Sequence, residues 1–99
     1  SENQIEKIDK SKLTIIKDIY SLIKKDKNLS KDYLKSIFDK IIETEKINFK
    51  DLGQPLRIIL TGSEYGPAIY DIANSLGLDE FLKRLELFFS KMDKNIKNW

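Results

Sequence analysis

Arg57 is one of only two arginines in a chain with sixteen lysines, so a planar, forked donor and not merely a positive charge is called for at that place. Such a guanidinium can stack on a flat ring or hold a base edge or a phosphate through two parallel hydrogen bonds. Equally, it can pair with a carboxylate or a helix end inside a bundle. Just beyond it, Thr61 and Gly62 offer either a main-chain approach where a helix stops without a bulky side chain, or simply a good C-cap. Glu64, Tyr65, Gly66 and Pro67 read as an exposed loop running into a helix start, where free amides suit carbonyl or phosphate oxygens. Tyr65 is a stacking platform within that loop, or a half-exposed aromatic with no partner. Late in the chain Lys83, Arg84, Lys91 and Lys94 either neutralise a phosphate backbone or form a solvated helix face. The chemistry open to these residue types is recognition of planar rings and anions.

Helices must position them, and the run from Gly53 to Pro67, which holds both prolines and three of the four glycines, supplies the punctuation. Pro55 fits a first helical position, where its missing amide costs nothing, and Gly62 fits the left-handed stop, which predicts a helix of about two turns. Pro67 starts the next helix by the same logic, with Ile69, Tyr70, Ile72 and Ala73 available for burial and Gly77 ending it. Upstream, Leu13, Ile16, Tyr20 and Ile23, widened by Ile15, Ile19 and Leu22, trace a helical stripe from near Ser11 to Lys24 or Lys27. Ser30 is the N-cap of a second helix whose apolar face is Leu34, Ile37, Phe38 and Ile41. Thr44 to Phe49 reads as a loop. A last amphipathic helix is expected over Asp79 to Met92, with Phe81, Leu82, Leu85, Phe88 and Phe89 on one side. Residues 1–10 are polar and the tail from Asp93 to Trp99 has little pattern, so both ends are expected to fray. The fold class is therefore all-α, a compact bundle of about five helices over a single domain, residues 1–99.

Composition removes most catalytic chemistry. The chain has no cysteine and no histidine, which excludes thiolate nucleophiles, zinc–thiolate sites and any His-assisted nucleophile or proton shuttle. No Gly-x-x-x-x-Gly-Lys-Ser/Thr loop and no Gly-x-Gly-x-x-Gly turn is present to cradle a nucleotide. Ser63 has no base to activate it. Asp71, Asp79 and Glu80 are scattered around helix starts, where carboxylates favour the dipole, and form no acid/base pair or metal cluster. A net charge of +2 is too small to argue nucleic-acid binding by itself. No apolar run approaches the length of a membrane span, and the opening residues lack the basic and apolar regions of a signal peptide, so the expectation is a cytoplasmic chain.

The run Pro55-Leu56-Arg57-Ile58-Ile59-Leu60-Thr61-Gly62 resembles the Pro-Leu-Arg-x-x-Leu-Thr-Gly motif in the C-terminal, anticodon-binding domain of bacterial-type glutamyl-tRNA synthetases, members of the class I aminoacyl-tRNA synthetases. Pro67, Leu76-Gly77 and the basic closing helix at Phe81-Leu82-Lys83-Arg84-Leu85 lie at similar distances, and the likeness extends from about Leu13 to Leu87. It implies an all-α cage of helices that grips the anticodon loop of glutamate tRNA, as the terminal piece of a longer ligase. In that ligase the ATP- and Mg2+-dependent chemistry occurs on a catalytic domain absent from these residues. By the resemblance, Gly66, Pro67 and Ile69 lie against anticodon bases, joining Arg57, Thr61, Gly62 and Tyr65.

The implied partners are a glutamate-accepting tRNA and the missing catalytic domains in cis. The domain is expected to act as a monomer, with no cofactor, metal or catalytic residue of its own. A different class also fits the helices: a free-standing protein-interaction module whose aromatic last helix fills a partner's groove. Whether the parent ligase would also serve glutamine tRNA is left open by these residues.

Overall fold

The computed structural model describes residues 8–97, with side chains through Met92. Four helical stretches carry them: α1 (Lys10–Asp26), α2 (Lys31–Glu45), α3 (Phe49–Thr61) and α4 (Ile69–Lys97). The all-α expectation holds, and no strand occurs among the described residues. No described helix is long and apolar enough to cross a membrane.

Each start and stop has a local cause. Asp9 caps α1 by accepting from the Ser11 amide at 3.0 Å, a bond that holds its carboxyl below the usual range. Ser30 caps α2 as expected, its hydroxyl accepting from the Tyr33 amide at 3.3 Å. Both helices stop on a left-handed lysine, Lys27 at φ 50° and Lys46 at φ 55°. α2 therefore continues to Glu45, and the expected Thr44–Phe49 loop shrinks to the three residues 46–48.

The third helix differs most from expectation. It begins at Phe49, where the Asp51 carboxylate accepts from the Asn48 amide at 2.8 Å, and Pro55 lies inside it instead of at its first turn. A proline there removes the bond its amide would have given to the carbonyl four residues back. The Asp51 cap upstream and the burial of Leu52 and Leu56, both 0 % exposed, hold the turn together regardless. Gly53, also inside this helix, leaves room for the Phe49 ring, whose Cε1 would lie 3.3 Å from an added Cβ.

The longer α3 is the central element, packing on α1, α2 and α4. The apolar stripes meet around it: Ile16, Ile19 and Ile23 from α1, Leu34 and Phe38 from α2, Leu56 and Leu60 from α3, and Phe81 and Leu85 from α4. No polar or charged side chain is buried among the described residues. A satellite cluster of Ile8, Ile58 and Phe88 pins the chain just ahead of α1 onto α3 and α4. The expectation that residues 1–10 fray fails at Ile8, because one isoleucine in a polar stretch finds an apolar seat; residues 1–7 lie outside the described chain.

Pro67 stands two residues ahead of α4 and not at its first position. The helix is started instead by the Ala68 carbonyl, which accepts from the Asp71 and Ile72 amides at 3.0 and 3.1 Å. Gly77 does interrupt it, with φ 80° and ψ 168°, a combination open essentially to glycine alone. Helix resumes at once, so the two expected helices form one stretch with a kink, residues 69–76 and 78–97. Its backbone extends past Met92 to Lys97, which corrects the expectation of a frayed tail from Asp93. Residues 98–99 lie outside the described chain.

Candidate nucleic-acid interface

α3 ends and α4 begins at one edge of the bundle, and the residues between them form a loop braced by its own side chains. Gly62 closes α3 in the left-handed region at φ 81°, its amide donating to the Ile58 carbonyl at 2.8 Å. Thr61 Oγ1 donates to the Arg57 carbonyl at 2.7 Å and accepts from the Ser63 amide at 3.2 Å. Ser63 Oγ in turn accepts from the Tyr65 amide at 3.2 Å. Glu64 is drawn inward, its carboxylate accepting from Gln54 Nε2 at 2.8 Å.

Arg57 closes the far side of the loop. Its Nε donates to the Pro67 carbonyl at 3.0 Å, which holds the guanidinium across the loop mouth. Among the described residues no carboxylate lies within ion-pair distance of it; the ion pair described is that of Arg84 with Glu80. The two terminal nitrogens of Arg57 keep their donors, in a stretch where it is the sole cation between Lys50 and Lys83. The alternative of an arginine sealed against an acid inside the bundle is not what the fold builds.

The apex is open. Tyr65 is 79 % exposed, and Gly66, at φ 144°, has nothing within 4 Å of where a Cβ would stand. Thr61, Gly62, Gly66 and Pro67 are all exposed. Beyond them the first two amides of α4, those of Ile69 and Tyr70, precede the first that bond to Ala68 and are not used by the helix ladder.

Two expected contacts are corrected. Ile69 is 1 % exposed and belongs to the core, where it joins the buried cluster of α1, α2, α3 and α4 side chains. Arg84 is no free phosphate ligand: its Nε pairs with Glu80 Oε1 at 3.0 Å and its Nη1 donates to the Leu60 carbonyl. Lys83 and Lys91 are exposed on α4. Lys94 is on the α4 backbone, with its side chain outside the described residues.

Sequence reasoning missed the Gln54–Glu64 tether and the part played by Ser63. The second had a readable signal, since hydroxyl side chains flank Gly62 on either side and such residues bond their own backbone at turns. The first had none, because it joins residues ten apart through an inward turn of Glu64.

The aromatic face of the last helix is used within the bundle: Phe81 and Leu85 sit in the main core, and Phe88 is 7 % exposed. Among the described side chains of α4, the large apolar one left exposed is Leu87, 52 % exposed, which by itself makes no groove-filling face for a partner protein.

The site is thus a polar loop tied by its own side-chain hydrogen bonds, with a forked cation at its mouth. Residues 1–89 match the family model described as an anticodon binding domain, and the chain belongs to that family. Among curated relatives, the glutamate–tRNA ligase of Pelagibacter ubique is 42 % identical over 84 residues, covering 85 % of this chain and 18 % of that ligase. Glutamate–tRNA ligase 1 of Fervidobacterium nodosum is 34 % identical over 74 residues, 75 % of this chain and 16 % of the ligase. The chain thus spans under a fifth of the length of these relatives. No solved structure matches it.

Proposed function

We propose that this chain is the anticodon-gripping part of a glutamate–tRNA ligase, and that the loop between α3 and α4 is where it meets the anticodon loop of glutamate tRNA. The observation that carries the reading is the braced 61–67 loop, with Arg57 held across its mouth by the Pro67 carbonyl and an exposed Tyr65 at its apex. Splayed bases of an RNA loop are read by stacking and by hydrogen bonds along their edges. Tyr65 supplies a stacking face, the terminal nitrogens of Arg57 supply a fork for a base edge or phosphate, and Gly62 and Gly66 let the nucleotide backbone come close.

The chain catalyses nothing itself. Attachment of glutamate with ATP and Mg2+ belongs to the remainder of such a ligase, and grip on the anticodon would set the distant acceptor end near the activated amino acid.

Titration of a fluorescent glutamate-tRNA anticodon stem-loop with the chain tests this. Saturable binding is expected, with log K falling against log salt by about 0.7 per phosphate contacted. Tyr65→Ala should weaken it by about 1 to 3 kcal/mol if a base stacks there. An affinity indifferent to salt and to the RNA sequence, and unmoved by Tyr65→Ala, would remove the reading.

A further inference from the structure

The chain places its only two arginines at the two ends of one loop. Arg57 donates to the carbonyl of Pro67, where the loop enters α4, and Arg84 donates to the carbonyl of Leu60, where the loop leaves α3. We propose that Arg84 is a positioning residue for the anticodon-reading loop, fixing the end of α3 from which that loop departs, while Glu80 fixes Arg84; the proposal rests on the function proposed above.

The geometry explains why a lysine-rich chain departs from lysine here. Arg84 uses two different nitrogens at once, Nε for Glu80 Oε1 at 3.0 Å and Nη1 for the Leu60 carbonyl. A guanidinium makes both bonds from one rigid plane, whereas an ammonium on a flexible stem has no fixed fork. Glu80 and Arg84 stand four apart on α4, after the Gly77 kink, so the second half of that helix reaches back to the end of α3. Leu60 is one of the last four residues of α3, whose carbonyls the helix itself leaves unpaired, and a cation there also suits the negative dipole end. The next residue is Thr61, whose hydroxyl ties Arg57 to Ser63, and Ser63 ties to Tyr65. Displacement at Leu60 therefore passes along the same hydrogen bonds to Arg57 and to the apex. The pair is half-buried, its side chains 39 % and 43 % exposed, so the energetic role lies in geometry more than in the charge attraction.

Two variants separate positioning from direct contact. Arg84→Lys keeps the charge and loses the fork; Arg84→Gln loses the charge. Stem-loop affinity is expected to fall about three- to tenfold in both, the usual effect of one lost hydrogen bond, with the salt dependence of binding unchanged. Full affinity in Arg84→Lys, together with a salt slope lowered by about 0.7 in Arg84→Gln, would show a phosphate contact and overturn the proposal.

Amide hydrogen exchange gives a readout that needs no RNA. The Ser63 and Tyr65 amides are expected to exchange several-fold faster in both variants, while the core amides of Leu56 and Phe81 keep their rates. Exchange raised equally at all four would mean general destabilisation, and unchanged exchange at Ser63 and Tyr65 would mean no positioning; either result overturns the proposal. A wild-type chain that fails to bind the stem-loop would refute the proposed function, and the exchange comparison would still decide what Arg84 does to the loop.

Discussion

Arg57 and Pro67 lie ten residues apart and are joined by a 3.0 Å hydrogen bond from the guanidinium Nε to the main-chain carbonyl. Proline is placed where its own nitrogen has no hydrogen to give, yet its carbonyl is free to accept. The bond turns the Arg57 plane across the mouth of the loop, so the two terminal nitrogens are presented together and already oriented. A ligand then meets a donor pair whose ordering cost has been met by folding.

Replacing Arg57 therefore tests orientation as well as charge. Arg57→Ala should weaken binding of a glutamate-tRNA anticodon stem-loop by about 1.5 to 3 kcal/mol, the range for hydrogen bonds to charged groups. Arg57→Lys should recover only part of that, because the fork is gone. Fluorescence anisotropy at fixed salt reads the affinity, and circular dichroism should show helical content intact in both. Full recovery by lysine would reduce the role of Arg57 to its charge.

The Gly77 kink predicts a backbone effect without a steric one. Nothing lies within 4 Å of a Cβ added at Gly77, but its φ of 80° with ψ of 168° is strained for any L side chain. Gly77→Ala should destabilise the fold by about 1 to 3 kcal/mol, as residues forced into such regions do. Urea unfolding should show a lower midpoint with an unchanged slope.

Lys27 and Lys46 point the opposite way. Both hold a left-handed conformation, φ 50° and 55°, that costs a side-chain-bearing residue about 1 to 2 kcal/mol. Glycine relieves this and gives back about 0.4 to 1 kcal/mol through a freer unfolded chain. Lys27→Gly and Lys46→Gly should each raise stability by roughly 0.5 kcal/mol, and the two should add because they cap different helices. Thermal melts of the single and double variants measure this; a loss of stability in both would contradict the C-cap assignment.

Tyr33 sets a limit on the alkaline side. Its phenol is pushed up to about 12, first by burial and then by the hydrogen bond to the Asp26 carboxylate. The unfolded chain releases this proton near 10 while the folded chain keeps it to about 12. Tyr33 thus contributes fully below pH 10, and its contribution falls between pH 10 and 12 as the unfolded state binds fewer protons. Ultraviolet difference titration should find Tyr33 among the late-ionising tyrosines, together with Tyr70, whose phenol is also pushed up by burial and then by the Asp39 carboxylate. In Tyr33→Phe the Tyr33 contribution to the late step should vanish while that of Tyr70 stays, and the loss of melting temperature over the same window should shrink.

The apolar spacings of α1 and α2 and the aromatic face of α4 made these helices legible, because periodicity alone decides which side must be buried. Ser30 and Gly62 were legible for the same kind of reason, since a cap depends on one residue and its immediate neighbours. Pro55 misled: a proline is a start signal only where no earlier cap exists, and Asp51 had already closed that turn. Ile69 misled too, because likeness along the chain places a residue beside a loop without saying whether its side chain faces out or in.

By itself the sequence determined that the chain is helical, where most helices begin and stop, and that Arg57 and the loop after Gly62 stand apart from a lysine-rich background. Only the tertiary structure decided that Arg57 spans the loop to Pro67, that Glu64 turns inward to Gln54, and that Arg84 holds Leu60 instead of reaching outward. Caps and stripes are fixed by neighbours a few residues away. A long side chain with several donors takes whichever acceptor the packing of distant helices brings within 3 Å or so, and no local pattern records that choice.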